Sequence, residues 1–357
     1  MGIIRILLAI SVAIHHTGPI FGHTLFGGDG IVQSFFVISG FYVTMIYTEK
    51  SYSRKLEFYK SRFFRLAPLW YFTLFLSFLL VLPRGGIGGV DIFSGAPLSL
   101  KAMSVVSQVT MVGQDFFTFF SYDTLRHTFG FSEAINVNRP PGPVGGFWFL
   151  QLPQGWSIST EVMFYICAPF LVKRPLKVLL FVVSGTVVLR LYIYLKLGWD
   201  SDPWTYRFFP IEMGTFLLGS IGYQGYCRLK DWRSSSSIGF TFLGFFLCWA
   251  LFWPYWNCSA EIKQLSLVLF VAASLPFIFI ATKSSSWDRW LGSLSYPVYL
   301  LHFLVIWGIL PLFLSPNVPN RSTIGLLVTL GLSAVLVRHI ERPVDKWRKR
   351  FSHSEVD

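Results

Sequence analysis

Several ionisable or hydroxyl-bearing side chains lie within or beside strongly apolar stretches of this sequence. They are Arg5, His16, Ser39, Glu161 and His302. A charged group near the centre of a bilayer costs at least a few kcal/mol, so such residues usually face a protein interior or a water-filled path. Because these residues come from separate stretches, we predict a chemical site that is built between helices.

The first apolar stretch carries a basic residue at each end of one helical stripe. Arg5 and His16 lie within about 20° of the same helical face and about 16 Å apart along the axis. Glu161, about two turns into a later stretch, lies at a depth that we expect to approach that of His16. A carboxylate near a histidine fixes its tautomer and raises its basicity, so we predict an acid–base pair. Two alternatives remain: a structural His16, and an ion pair between Glu161 and Arg207.

Two further arginines follow the second apolar stretch. Arg62 and Arg65 are spaced i, i+3 and share one face of a helix. Forked guanidinium groups suit phosphate-bearing ligands such as coenzyme A, so we predict a phosphate site on the cytoplasmic side. The alternative is contact with anionic lipid together with control of topology.

A polar stripe opens the ninth apolar stretch. Ser295, Tyr299 and His302 are spaced i, i+4 and i+7, so they lie on one face of a helix. A transporter helix carries the same kind of stripe. The stripe therefore indicates a polar path and does not by itself distinguish an enzyme from a transporter.

The composition indicates the elements that must position these residues. The chain has 357 residues, of which 53% are hydrophobic and 13% charged, which is typical of a polytopic helical membrane protein. Its net charge of +12 comes from basic residues in short loops, which indicates topology rather than nucleic-acid binding. The four cysteines have no metal-site spacing, so we predict no metal. The first stretch lacks a clear cleavage site, and we predict that it is retained.

We predict an all-α polytopic membrane protein with about ten transmembrane helices. The apolar stretches are 3–20, 31–48, 66–83, 153–172, 176–195, 207–225, 237–254, 264–281, 296–314 and 322–340. With the N-terminus in the cytoplasm, most Lys and Arg residues fall on the inside, which favours N-in/C-in. Residues 102–112 are too few to cross, so residues 84–152 form one long external loop. Residues 1–341 form the membrane domain, and residues 342–357 form a basic cytoplasmic tail.

Five motifs in order resemble the acyltransferase-3 family of integral-membrane O-acyltransferases, which includes O-antigen, exopolysaccharide and nodulation-factor O-acetylases. They are Arg5–His16 for Arg-x10-His, Phe35–Phe41 for FFxxSGF, Arg62–Arg65 for RxxR, Trp156–Glu161 for WSLxxE and Leu291–His302 for LGxxSYxxYLxH. The resemblance covers most of the chain. Gln33 stands where the family often has Asp, so no carboxylate is carried over to that position.

The resemblance implies transfer of an acyl group, most often acetyl, from cytoplasmic acyl-CoA to a hydroxyl of an extracytoplasmic or lipid-linked glycan. It implies His16 as acceptor base or acyl relay, Glu161 as its catalytic support, and Arg5, Arg62 and Arg65 as ligands of the donor. Supporting roles fall to Ser39, Arg207, Ser295, Tyr299 and His302. The expected location is the bacterial cytoplasmic membrane. Some members have a fused C-terminal esterase-like domain; we expect this chain to act alone or with a separate partner.

A transporter of a polysaccharide precursor or small metabolite is the alternative function. Transporters often contain repeats with helices broken at matched positions in the two halves. Pro210 and Pro297 interrupt apolar stretches singly and do not form a matched pair. The pattern therefore favours the enzyme.

Overall fold

The computed structural model describes residues 1–357 except 51, 53, 85, 87–92, 94, 136, 139–140, 349 and 351–357. Within that part, the helices are α1 (Gly2–Thr17), α2 (Gly30–Glu49), α3 (Lys55–Leu80), α4 (Leu98–Thr110), α5 (Gly155–Leu171), α6 (Leu176–Tyr192), α7 (Phe209–Leu229), α8 (Ser235–Phe252), α9 (Ala260–Thr282), α10 (Ser286–Phe303), α11 (Leu310–Phe313), α12 (Arg321–Leu336) and α13 (Arg342–Arg348). The strands are β1 (Phe120–Asp123), β2 (Thr128–Phe131) and β3 (Pro143–Gly145).

Nine of the ten predicted apolar stretches lie largely within one of these helices, and the ninth along the chain, 296–314, runs from α10 through a π-helical segment, Leu304–Ile309, into α11. Among the described residues, seven helices are long and apolar enough to cross a membrane: α2, α3, α6, α8, α9, α10 and α12, some with their π-helical extensions. Only helices and closed barrels satisfy backbone polar groups in lipid, which explains this architecture. The all-α class is confirmed, whereas the count of ten spans and the N-in/C-in orientation stay predictions.

Helices α2 and α7 approach each other closely because both carry glycine at the crossing. A Cβ atom on Gly40 would lie 1.9 Å from the carbonyl oxygen of Phe216, and one on Gly219 would lie 1.9 Å from that of Val37. Small residues allow this approach in membrane proteins, where packing rather than hydrophobicity drives helix association. The crossing fixes α2, which carries Ser39, at the centre of the bundle.

Helix α1 packs along α10 and is held at its start by an aspartate of α10. The carboxylate of Asp288 accepts hydrogen bonds from the backbone N–H groups of Gly2, at 2.7 Å, and Ile3, at 3.0 Å. A carboxylate at a helix N-terminus satisfies free N–H groups and complements the helix dipole. This pairing sets the register of the two helices and brings His16 of α1 beside His302 of α10.

The segment between α3 and α5 has a core of its own, which its Gly- and Pro-rich composition did not predict. The strands form an antiparallel sheet in the order β2-β1-β3, and Tyr122 of β1 and Val144 of β3 are buried in one cluster with Phe149. Parts of the predicted loop, among them residues 87–92, lie outside the described residues. That the segment is external stays a prediction.

Helix α4 covers most of residues 102–112 and lies beside the middle of α3. Trp70 Nε1 donates to the carbonyl oxygen of Gln108 at 2.9 Å, and the Tyr71 hydroxyl donates to that of Val109 at 2.6 Å. Thirteen residues of helix measure about 20 Å, which is shorter than the hydrocarbon core of about 30 Å. The helix is therefore too short to cross.

The start of the predicted basic tail is folded. Helix α13 packs on α3, where the rings of Trp347 and Phe64 lie 4.5 Å apart. Residues 349 and 351–357 of the predicted tail lie outside the described residues, and the domain boundary after residue 341 stays a prediction.

Candidate active site formed by two cavities

Two cavities meet inside the helical bundle. The first, of about 240 Å³, is lined by Arg5, Arg62, Arg65, Glu161 and Arg348 among others, and we call it the arginine cavity. The second, of about 350 Å³, is lined by residues that include His15, His16, Asp29, Gln154 and Arg207, and we call it the histidine cavity. Val32 and Tyr299 line both cavities. These two residues therefore stand at the boundary between two chemically different spaces.

The arginine cavity collects the three arginines that the motifs predicted. Arg5 reaches it from α1, with its guanidinium carbon 5.6 Å from the ring centre of Tyr42. Arg65 donates from Nη1 to Glu341 at 3.0 Å. Arg62 is only 6% exposed, and its Nε has no hydrogen-bond partner among the described residues. A buried donor without a partner is costly, so the Arg62 side chain is suited to a ligand that accepts hydrogen bonds.

Glu161 belongs to the arginine cavity. Its Oε1 accepts hydrogen bonds from the Ser39 hydroxyl at 2.6 Å and from the Tyr165 hydroxyl at 2.5 Å. These donors on α2 and α5 draw the carboxylate toward the arginines, so the two residues predicted as catalytic, His16 and Glu161, line different cavities. The alternative ion pair between Glu161 and Arg207 does not form, because Arg207 is paired with the carboxylate of Asp202.

His16 is solvent-exposed in the histidine cavity and rests on a buried partner. Its ring stacks on His302, with centroids 5.2 Å apart and planes inclined by 18°. His302 is fully buried, and its Nδ1 lies 2.6 Å from the carbonyl oxygen of Tyr299. Because a carbonyl can only accept, Nδ1 of His302 carries the proton of this hydrogen bond, and in the neutral ring Nε2 is then the lone-pair nitrogen. That Nε2 has no hydrogen-bond partner among the described residues.

A hydrogen-bonded group surrounds Tyr299 at the boundary. The Tyr299 hydroxyl lies 2.6 Å from that of Ser157 and 3.3 Å from the carbonyl oxygen of Gln154. Gln154 in turn donates from Nε2 to the carbonyl oxygen of Leu300 at 2.8 Å. Because α5 and α10 are thus linked on both sides of the ring, Tyr299 is fixed in place between the cavities. Ser295 faces the arginine cavity, where its hydroxyl donates to the carbonyl oxygen of Gly292.

Arg207 forms a rigid wall of the histidine cavity. Its Nε and Nη2 donate to the two carboxylate oxygens of Asp202 at 2.7 and 2.8 Å. The same guanidinium carbon lies 4.4 Å from the ring centre of Trp156 and 5.1 Å from that of Tyr206. A bidentate ion pair with stacking of this kind fixes the orientation of the aromatic rings.

Three residues of the cavities were not assigned roles from the sequence. Asp29 precedes α2, its carboxyl forms no hydrogen bond or ion pair with any described residue, and burial raises the pKa of that carboxyl to about 6. The Oε1 atom of Gln154 is buried without a partner among the described residues. Arg348 enters the arginine cavity from α13. An Asp directly before an apolar stretch is a signal that could have drawn attention to Asp29, whereas Arg348 resembles an ordinary basic loop residue.

Comparison with known proteins agrees with the motifs. Residues 1–338 match the acyltransferase domain of the acyltransferase-3 family. O-acetyltransferase OatA of Staphylococcus aureus is 24% identical over 375 residues, which cover 96% of this chain and 56% of the relative. Peptidoglycan O-acetyltransferase OatA of Listeria monocytogenes is 25% identical, with 96% and 55% covered. An uncharacterized protein of Aquifex aeolicus is 24% identical over 205 residues, which cover 55% of this chain and 89% of the relative.

The chain spans about half the length of the two named acetyltransferases. No solved structure matches it. The match over residues 1–338 shows that this chain is an integral membrane protein of the acyltransferase-3 family.

Proposed function

We propose that this protein is a membrane O-acyltransferase that transfers an acyl group, most often acetyl, from acyl-CoA to a hydroxyl of an extracytoplasmic or lipid-linked glycan. The observation that carries the proposal is the pair of cavities, one rich in arginine and the other containing His16, that meet at Val32 and Tyr299. The names of the two acetyltransferase relatives support the reaction type. We infer a bacterial cytoplasmic membrane location from the same resemblance.

The donor would bind in the arginine cavity. Arg5 and Arg62 form no ion pair with any described residue, so they are available for the phosphates of coenzyme A. Arg65 is partly neutralised by Glu341 and would add a weaker contact. Phosphate groups favour forked guanidinium donors, which supports a nucleotide-bearing donor here. The thioester end would then point along the cavity toward Tyr299.

The acceptor would bind in the histidine cavity. Trp148, Trp156 and Tyr206 supply ring faces there, and Asp29 and Gln154 supply hydrogen-bond acceptors. Flat apolar faces beside a few polar groups suit a sugar ring, which presents C–H faces and hydroxyl edges. This lining supports a glycan as the acceptor class.

His16 would act as the general base. As the acceptor oxygen attacks the thioester carbonyl carbon, His16 takes the hydroxyl proton, and a new C–O bond forms. The C–S bond then breaks, the protonated His16 gives the proton to the sulfur, and coenzyme A leaves as a thiol. The stacked ring of His302 would hold His16 in place, and a base of this kind contributes about 10²–10⁴ to the rate. A relay through an acyl-histidine is the alternative route; it would appear as labelled protein when acceptor is absent.

The test is acyl incorporation into cell-surface polysaccharide with the native chain and with His16→Ala. We expect incorporation to fall to background, and unchanged incorporation would reject the catalytic assignment. His339→Ala is the matched control, because this histidine is exposed and lines neither cavity. Purified protein with labelled acetyl-CoA separates the enzyme from a transporter, because only an enzyme moves the label to acceptor or water.

A further inference from the structure

Arg348 is a fourth arginine of the arginine cavity, and it lies outside the part of the chain that the family match covers. The match ends at residue 338, whereas Arg348 ends α13. The sequence places this residue in a basic tail whose charge is explained by topology alone. In the structure, the neighbouring Trp347 packs on Phe64 of α3, which brings Arg348 over the cavity that Arg62 and Arg65 line from α3.

Half of the Arg348 guanidinium is paired and half is not. Nη2 donates to Asp345 at 2.8 Å, one turn earlier in α13. Nη1 is buried and has no hydrogen-bond partner among the described residues. The Nε atom of Arg62, which lines the same cavity from α3, is likewise buried without a hydrogen-bond partner among the described residues. Buried guanidinium N–H groups without partners are costly, and acceptor oxygens of a ligand would satisfy both.

The charge of the cavity indicates what that ligand is. Four arginines line it, and the carboxylates that contact them or lie among them are Glu161, Glu341 and Asp345. Like charges held close together in a partly buried site repel each other and favour an anion between them. Because arginines from α3 and α13 approach the cavity from separate elements, a ligand that carries more than one phosphate suits the site.

We propose that Arg348 is a donor-binding residue that clamps the phosphate-bearing part of acyl-CoA between α13 and α3. This proposal rests on the proposed function, since it takes the arginine cavity as the donor site. Arg348 would contact phosphate oxygens through Nη1 and keep its Asp345 pair through Nη2. The segment after the family region would thereby complete the donor site.

The experiment measures equilibrium binding of three probes to the full chain purified in detergent. The probes are coenzyme A, 3′-dephospho-coenzyme A and pantetheine, which carries no phosphate. The variants are Arg348→Ala, Arg348→Lys and the matched control Lys346→Ala, whose side chain is exposed two residues earlier on α13. Thermal unfolding and gel filtration check that each variant is folded, and Arg348→Lys keeps the test valid if the alanine variant does not fold.

We expect Arg348→Ala to weaken coenzyme A binding about 10- to 100-fold, because a hydrogen bond to a charged group is worth about 1.5–3 kcal/mol. Binding of pantetheine should be unchanged, Arg348→Lys should recover part of the affinity, and Lys346→Ala should match the native chain. Equal coenzyme A affinity in Arg348→Ala and the native chain would overturn the proposal, while a loss in Arg62→Ala would leave the proposed function standing.

Two further outcomes distinguish a failure of the proposed function from a failure of the proposal for Arg348. A native chain that binds no coenzyme A would reject the donor of the proposed function and, with it, this inference. Anionic lipid is another source of phosphate, so the same variants are compared in nanodiscs with and without phosphatidylglycerol. A loss of phosphatidylglycerol binding in Arg348→Ala without a loss of coenzyme A binding would overturn the proposal in favour of a lipid contact.

Discussion

The two cavities differ in how their linings can hold a ligand. The arginine cavity is lined by four guanidinium groups and one carboxylate, so its selectivity comes from charge. The histidine cavity is lined by seven Phe, Trp and Tyr rings together with two histidines and Asp29, and its arginine, Arg207, is paired with Asp202, so its selectivity comes from shape and hydrogen bonding. Their linings share Val32 and Tyr299. The difference teaches that one bundle presents two sites of unlike chemistry, as the transfer of a group between unlike molecules requires.

The largest effect on transfer is expected from a change at the boundary between the two cavities. Replacing Tyr299 with Ala removes the ring that lines both cavities and the hydroxyl that meets Ser157. We expect transfer to fall about 100-fold, since misplacement of reacting groups by about 1 Å can cost that much. Hydrolysis of the donor should rise relative to transfer, because water then reaches the thioester. The measurement is the ratio of acetate to acetylated glycan from labelled acetyl-CoA.

Tyr299→Phe is the control for that boundary. It keeps the ring and removes the contacts of the hydroxyl with Ser157 and with the Gln154 carbonyl oxygen, each worth about 1 kcal/mol, so transfer should fall less than in the alanine variant. If the alanine variant hydrolyses donor no faster than the phenylalanine variant does, Tyr299 is not the partition.

A smaller effect should distinguish the two cavities through the Michaelis constants for the acceptor and the donor. Trp156→Ala removes a buried ring of the histidine cavity and the surface on which Arg207 stacks. We expect the KM for the acceptor to rise about tenfold, since an aromatic contact of this kind is worth about 0.5–1.5 kcal/mol beyond its area. The KM for the donor should not change. Trp287→Ala, at a ring that is 73% exposed, serves as control, and an equal rise in both constants would contradict the division.

The smallest expected effect concerns pH. Burial raises the pKa of Asp29 to about 6, so this carboxyl is mostly protonated at pH 5 and mostly ionised at pH 7. An ionised carboxylate accepts hydroxyl hydrogen bonds about twice as strongly as a neutral group does. The acceptor KM should therefore decrease as the pH rises through 6. Kinetics of Asp29→Asn should lack that decrease, and an identical pH profile in both proteins would remove Asp29 from the acceptor site.

The sequence predicted the helices well because lipid imposes a simple rule on composition. Each of the ten apolar stretches is largely helical, as burial in lipid demands of any spanning segment. The core at the short sheet was not predicted, because it depends on Tyr122 meeting Val144 and Phe149 across gaps rich in glycine and proline. No periodic pattern of apolar residues in the sequence predicts these contacts.

The residues that line the two cavities could be predicted only in part, because local patterns do not encode how the helices pack. The family resemblance brought Arg5, Arg62 and Arg65 into one set, and the structure places all three in one cavity. The depth of Glu161 was predicted by counting helical turns. That count does not include the hydroxyl groups of Ser39 and Tyr165, which hold the carboxylate in the arginine cavity. The position of Arg348 in the cavity depends on how α13 packs against α3, and no local sequence pattern predicts that tertiary contact.

The central claim is that the arginine cavity binds the donor and that His16 performs the transfer. The most direct test measures coenzyme A affinity and acetyl transfer side by side in His16→Ala and Arg62→Ala, each in the purified full chain. The account predicts that His16→Ala binds coenzyme A within about twofold of the native chain and transfers at least about 100-fold more slowly. Arg62→Ala should lose affinity and transfer together. Loss of coenzyme A affinity in His16→Ala, or native affinity in Arg62→Ala, would contradict the division of labour between the two cavities.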